Sequence, residues 1–143
     1  MRFFTRKLIR PEDLNANNTL FGGSLLRWID EEAGIYAMSK LRSKRVVTKY
    51  MSEINFVNSA KQGDVIEIGL KFQDVGTTSI TFGCEVRQMF SQETIITIDK
   101  IVFVLLNENG RPQPHGFKKR TSSRVPARKP VEQPVRKLKI QKP

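Results

Sequence analysis

SLLRWIDEEAGIYAMSKL, residues 24–41, is the stretch on which the reading of the fold turns. At about 100° per residue, Leu25, Leu26, Ile29, Ala33, Tyr36 and Ala37 fall on one apolar stripe, whereas Glu31 points well away from it. The pattern predicts a long amphipathic helix over roughly Ser24 to Leu41, with its stripe laid against a sheet. Before it, Gly22-Gly23 marks the entry, preceded by the polar loop Asn15-Ala16-Asn17-Asn18-Thr19. Phe3, Phe4, Leu8 and Ile9 suit a short opening strand that the Pro11-Glu12-Asp13 turn ends.

Four strand-like runs follow the helix: Val46 to Phe56, Val65 to Val75, Ser79 to Phe90 and Thr94 to Leu106. Turn signals separate them at residues 61–64, 76–78 and 91–93. Ile66, Ile68, Leu70 and Phe72 alternate with Val65, Glu67, Gly69 and Lys71, as expected for a sheet with one covered face. Short connections predict an antiparallel meander, and the whole predicts an α+β domain whose sheet wraps one helix. One helix covers such a sheet incompletely. Dimerisation is the natural way to finish covering it.

A chain of 143 residues has the size of one compact domain. Its charge of +11 is uneven: residues 118–143 carry ten Lys or Arg against Glu132 alone, and residues 1–117 carry fifteen against thirteen acids. The division is therefore a folded unit, 1–117, and a basic tail, 118–143, that contains Pro126, Pro130, Pro134 and Pro143 and is expected to be disordered. The single cysteine, Cys84, excludes an internal disulfide and a cysteine metal cluster. No apolar run reaches the length of a secretory signal core or a membrane span. The expectation is a soluble, cytoplasmic protein with no metal.

Phosphate loops, dinucleotide fingerprints, metal-ligand clusters and nucleophile elbows are missing from the sequence. The one histidine, His115, lies between prolines at the edge of the tail, which leaves a Ser-His-Asp triad poor prospects. Acid-base chemistry then falls to a carboxylate assisted by amides and hydroxyls. Asp30 stands about 140° round the helix from Leu25, at the margin of the stripe, where partial desolvation strengthens a carboxylate as a base. The structural alternative is an edge residue that reaches solvent or pairs with Arg27 or a partner chain. Gly22 and Gly23 offer helix-start amides to a developing oxyanion, or form a tight entry turn only. Asn15 in isolation reads as a turn residue.

Taken in order, residues 15–23 (NANNTLFGG), 28–34 (WIDEEAG), 45–48 (RVVT), 54–56 (INF), 63–66 (GDVI) and 76–80 (GTTSI) resemble the acyl-CoA thioesterase branch of the hotdog-fold superfamily. The likeness runs over about residues 8 to 115 and leaves out the tail. It implies a curved antiparallel sheet around the helix, a dimer with one continuous sheet, further assembly commonly into hexamers as trimers of dimers, and active sites at the dimer interface. By the same resemblance Asp30 activates water or attacks the thioester carbonyl, Asn15 positions the reacting groups, and the amides near Gly22 and Gly23 polarise the carbonyl. Products would be a free fatty acid and coenzyme A, with no cofactor beyond the coenzyme A of the substrate. Phe21 departs from many hotdog thioesterases, which have His there, although a subgroup with an acyl-CoA preference also has Phe.

Coenzyme A carries three phosphates, so Arg45, Lys61 and the Thr77-Thr78-Ser79 hydroxyls and amides are candidate contacts, against the alternative of ordinary solvated groups. Trp28, Ile54 and Phe56 are candidates for an acyl channel, or plain core. Two other functions compete: a non-catalytic acyl-CoA-binding or regulatory module, and a weak anionic partner, nucleic acid or membrane, for the tail.

Overall fold

In the computed structural model of the protein, residues 1–118 are described; the expected disorder and anionic partner of the tail bear on residues 119–143, outside that part. The elements are β1 (Arg2–Leu8), α1 (Gly22–Leu41), β2 (Val46–Met51), β3 (Ile54–Phe56), β4 (Val65–Val75), β5 (Ser79–Gln88) and β6 (Thr94–Leu105), with a 3₁₀ turn at Pro11–Asp13. All strand pairs are antiparallel, in the order β1-β4-β5-β6-β2, and β3 also pairs with β6. The apolar stripe of α1 meets the inward side chains of this sheet. Ile29, Ala33 and Ala37 are inaccessible to solvent, as are Ile66 and Ile68 of β4, Ile80 and Phe82 of β5, and Ile96 and Ile101 of β6.

The expected four-stranded meander holds only for β4, β5 and β6. The run from Val46 to Phe56 breaks at Ser52-Glu53 and pairs with β6, on the far side of the sheet from β4. Alternation identifies a strand without naming its neighbour, and residues 57–64 can extend about 26 Å, enough to cross the intervening strands. One consequence is that β2 and β3 form a free edge, on which Val47, Tyr50 and Phe56 are exposed.

The outer face of β4 is also less bare than its alternation suggests. Glu67 is buried there, accepting hydrogen bonds from Arg6 Nε at 3.1 Å and from Arg87 Nε and Nη2 at 3.0 and 2.9 Å. The hydrogen-bonded Arg87 guanidinium, followed by that of Arg6, outweighs burial and holds the Glu67 carboxyl below its ordinary range. A depressed carboxylate stabilises the fold above its unfolded pKa and loses that contribution as pH falls through the folded value. Urea midpoints of wild type should therefore decline below about pH 4.5, and Glu67→Gln, less stable at pH 7, should show a shallower decline. Parallel pH curves for the two proteins would refute this. Cys84 lies buried on β5; burial, then the charges of Glu85 and Glu32, push its thiol up to about 12, which leaves it inert.

Helix α1 ends at Arg42, which takes a left-handed conformation (φ 51°, ψ 40°) and donates its amide to Met38 O. Glycine adopts this conformation without a steric penalty, whereas arginine does not. Arg42→Gly is expected to raise stability by about 0.5–1 kcal/mol in urea unfolding, after allowance for the greater freedom of glycine in the unfolded chain.

Candidate active site

The entry to α1 leaves its first amides without a side-chain partner. Its N-cap is Phe21, which supplies no side-chain hydrogen bond, and the first turn holds no acidic residue. The first amides of a helix have no intrahelical partner, and here the positive end of the dipole meets no carboxylate. Phe21 is itself pinned, since its amide donates to Asp13 O at 2.8 Å and its carbonyl accepts from Leu25 at 3.1 Å. Two exposed phenyl rings rest on the glycines. A Cβ at Gly23 would lie 2.5 Å from the Phe21 ring, and one at Gly22 would lie 3.2 Å from the Phe56 ring.

The loop before the helix is closed by its own polar groups. Asn15 Oδ1 accepts from the amides of Asn17 and Thr19 at 2.9 and 3.2 Å, while Asn15 Nδ2 donates to Thr19 Oγ1 at 3.0 Å. Asn15 is thus a turn residue, as its type suggests, and its amide nitrogen keeps a second hydrogen for a ligand. Buried Asp13 anchors the near end of the loop, with its carboxylate accepting from the Arg10 amide at 2.9 Å. The far end is tied by Leu20 N to Ala60 O at 2.8 Å. Between loop, helix and sheet lies a pocket of about 300 Å³. Asn15, Thr19, Asn58 and Ser59 give it polar groups, Gly22 and Phe56 line it, and Leu20, Leu25, Ala60 and Ile95 supply apolar wall.

Asp30 sits elsewhere. Eight residues separate it from Gly22, a rise of about 12 Å along the axis. It is half-buried, and its Oδ1 accepts from Thr48 Oγ1 of β2 at 2.5 Å. Thr48 pairs with Phe103 and Tyr50 with Val102, so Lys49 is the extra residue of a bulge beside Thr48. Bulges re-aim neighbouring side chains. Glu31, by contrast, is exposed, as its position on the helix predicts. One chain therefore gathers Asn15, Gly22 and Phe56 at its pocket, with Gly23 beside them, and holds Asp30 apart with Thr48.

The remaining candidates divide between the two ends of α1. Lys61 is exposed and bridges to Thr19, near the pocket. Arg45 lies at the other end, where its Nε donates to Leu106 O at 3.3 Å and its guanidinium approaches Glu108 at 3.8 Å. Thr77, Thr78 and Ser79 belong to that end too: the Thr78 carbonyl accepts from Leu105, and that of Thr77 from His115. His115 Nδ1 accepts from the Phe117 amide at 3.0 Å, which puts the ring proton on Nε2, facing Ser79 O at 3.0 Å. Of the acyl-channel candidates, Trp28 is buried core beneath Lys7, Ile54 packs on the core, and Phe56 alone lines the pocket. Sequence reasoning missed Thr48, Asp13, Asn58 and Ser59. The Asn58-Ser59 pair after a strand is a polar signal that could have been used. Among the described residues no group of His, Cys, Asp and Glu could hold a metal, and no helix is long and apolar enough to cross a membrane.

An uncapped helix start, a tied asparagine loop and a carboxylate on the same helix invite comparison with known proteins. The family model described as the thioesterase superfamily matches residues 17–89, half of the chain. The chain belongs to the thioesterase superfamily. Within that superfamily it is 33% identical over 107 residues to the uncharacterized acyl-CoA thioester hydrolase YkhA of Bacillus subtilis, covering 73% of this chain and 62% of that one. The chain thus spans less than two thirds of that relative. Among solved thioesterase structures, the hexameric thioesterase y2039 of Yersinia pestis superposes with a TM-score of 0.73 at 27% identity, covering 79% of this chain and 93% of that one. An acyl-CoA hydrolase of Staphylococcus aureus, solved with butyryl coenzyme A, coenzyme A and coenzyme A disulfide, gives a TM-score of 0.69 at 28% identity over 77% and 66% of the two chains. That hydrolase has also been solved as an aspartate-to-alanine and an asparagine-to-alanine mutant, at positions 15 apart. Asp30 and Asn15 are likewise 15 apart. The fold is the hotdog thioesterase fold, with six antiparallel strands around one helix.

Proposed function

We propose that the protein hydrolyses acyl-coenzyme A to a free fatty acid and coenzyme A, in sites that each draw on two chains. The observation that carries this reading is the separation just described: Asp30 with Thr48 at the free edge of the sheet, and unpaired helix-start amides at a pocket about 12 Å away. Thr48 and Phe56 lie on the same edge, four residues either side of Ser52. Antiparallel pairing of two such edges about a two-fold axis near Ser52 sets Thr48 of one chain opposite Phe56 of the other. Asp30 of the first chain then approaches the pocket of the second. Exposed Val47 and Tyr50 on that edge favour its being covered. The hexameric neighbour supports assembly of such dimers into a trimer of dimers.

In this site the first-turn amides near Gly22 and Gly23 receive the thioester carbonyl oxygen and stabilise it as negative charge develops. The free hydrogen of Asn15 Nδ2 holds the water or the carbonyl in line. Thr48 fixes the Asp30 carboxylate through Oδ1, which leaves Oδ2 to take a proton from water or to attack the carbonyl carbon. With water as nucleophile, a carbon–oxygen bond forms, the carbon–sulfur bond breaks, and the thiolate of coenzyme A leaves and takes the proton from Asp30; with Asp30 as nucleophile, the same exchange leaves an acyl–Asp30 anhydride, which water then hydrolyses to the fatty acid and the free carboxylate. Lys61 near the pocket, with Arg45 and Thr77-Thr78-Ser79 presented from the opposite end of another chain, is the proposed contact set for the phosphates. A cytoplasmic setting, with its supply of acyl-CoA, completes the reading. Free-thiol release from acyl-CoAs by the purified protein tests it: steady turnover is expected, and binding without turnover would leave only the non-catalytic module.

A further inference from the structure

Asp30 is not the only carboxylate of α1 that a strand holds. Glu32, half-buried, accepts a hydrogen bond from Thr5 Oγ1 of β1 at 2.5 Å, as Asp30 does from Thr48 Oγ1 of β2. β1 and β2 stand at the two ends of the strand order, so the helix is tied to both margins of the sheet that wraps it. Two residues at about 100° each put Glu32 about 200° round the axis from Asp30, on the opposite flank of the buried stripe. Each threonine also stands beside a bulge. Thr5 pairs with Ile68 and Phe3 with Gly69, which makes Phe4 the extra residue on β1, as Lys49 is on β2. Bulges re-aim side chains, and beside each of these two a hydroxyl meets the helix. On the β1 side the contact continues in both directions: Lys7 Nζ lies 5.9 Å from the Trp28 ring, and the Phe4 ring lies 5.1 Å from that of Tyr36.

We propose that Thr5 and Glu32 are a positioning pair for the hydrolysis: together with Thr48 they set the roll of α1 about its axis and so aim Asp30. The proposal rests on the reading of Asp30 as the catalytic carboxylate and deepens it. Apolar burial is non-directional, and it keeps the stripe of α1 inward over a range of roll. Hydrogen bonds weaken steeply away from their preferred geometry, so two of them on opposite flanks resist roll in both directions. Side-chain atoms lie about 5 Å from a helix axis, and a roll of about 10° therefore carries the Asp30 carboxylate about 1 Å. A misplacement of about 1 Å costs a reaction on the order of 10²-fold. Neither Thr5 nor Glu32 meets the substrate; both act through Asp30.

The test uses the full-length protein and free-thiol release from whichever of butyryl-, octanoyl- and palmitoyl-CoA the wild type turns over fastest. Thr5→Val removes the hydroxyl at nearly constant volume and should lower kcat by about tenfold to 10²-fold with KM little changed, whereas Thr5→Ser should keep most of the rate. Glu32→Ala should match Thr5→Val, and Glu32→Gln, whose amide oxygen still accepts, should resemble Thr5→Ser. Combining Thr5→Val with Glu32→Ala should be no worse than either change alone, because both remove one interaction. In an Asp30→Asn background, Thr5→Val should lower the residual turnover no further; a pair that only supports the fold would lower it by the same factor again. The carboxyl-carbon NMR signal of Asp30, read at one pH, needs no turnover: it should shift in Thr5→Val and return in Thr5→Ser. If the wild type releases no thiol, the hydrolase reading fails, and a shifted Asp30 signal still upholds the aiming of the carboxylate. Full kcat in Thr5→Val, an equal loss in the Asp30→Asn background, or an unmoved Asp30 signal would overturn the proposal.

Discussion

Replacing Asp30 by asparagine is expected to lower kcat by about 10²–10⁴-fold while leaving the fold and coenzyme A binding nearly unchanged. The carboxylate is half-buried and held by Thr48 Oγ1 at 2.5 Å, a bond that the amide oxygen of asparagine still accepts. Shape and anchoring survive; basicity and nucleophilicity do not. The loss should fall on kcat rather than KM because proton removal or attack belongs to the transition state. Glu31→Gln is the control. Its side chain is exposed on the same helix, so it removes an equal charge at a position remote from the chemistry. Near wild-type turnover by Asp30→Asn, or a larger loss from Glu31→Gln, would remove Asp30 from the catalytic role.

Two inactive variants are expected to restore each other. If each site takes Asp30 from one chain and Asn15 with the helix-start amides from the other, a dimer of Asp30→Asn with Asn15→Ala contains one doubly altered site and one intact site. Random pairing of equal amounts makes half the dimers mixed, so co-refolded or co-expressed chains should recover about a quarter of wild-type activity. The gain over Asp30→Asn alone is then about 25-fold to about 2,500-fold, one quarter of the loss expected for that variant. Sites complete within one chain predict no recovery. Because Asn15 also closes its loop through Asn17 and Thr19, Gly23→Val offers a second partner for Asp30→Asn that leaves those hydrogen bonds intact. A side chain there must displace the Phe21 ring, since its Cβ falls 2.5 Å away, and it crowds the same amides.

What the sequence disclosed follows from what periodicity encodes. Residues 24–41 announce a helix and its buried face, because Leu25, Ile29, Ala33 and Ala37 repeat at helical spacing and a helix buries one stripe. The same stripe locates Asp30 at its margin. Strand alternation in Ile66, Ile68 and Leu70 is equally direct, but pairing is decided by turns and tertiary contact. Hence the run that begins at Val46 reads correctly as strand and wrongly as a neighbour of β4. Thr48 was invisible for a related reason. Threonine is an ordinary strand residue, and its contact with Asp30 is made beside the bulge at Lys49, a property of register between β2 and β6. The pocket is harder still, because Asn15, Asn58 and Ile95 come from three separated segments that share nothing until the sheet curls.

Helix α1 carries two parts that serve different sites. In the proposed arrangement its first turn serves the pocket of its own chain, and Asp30, two turns on and held by Thr48, serves the pocket of the neighbour. In the proposed dimer each helix is a strut joining both reaction centres, with its length set by a rise of about 1.5 Å per residue. The two centres thereby share one ruler. Displacing a strut to suit an acyl group at one end moves the carboxylate at the other, so the pair of sites can be tuned in concert but not independently.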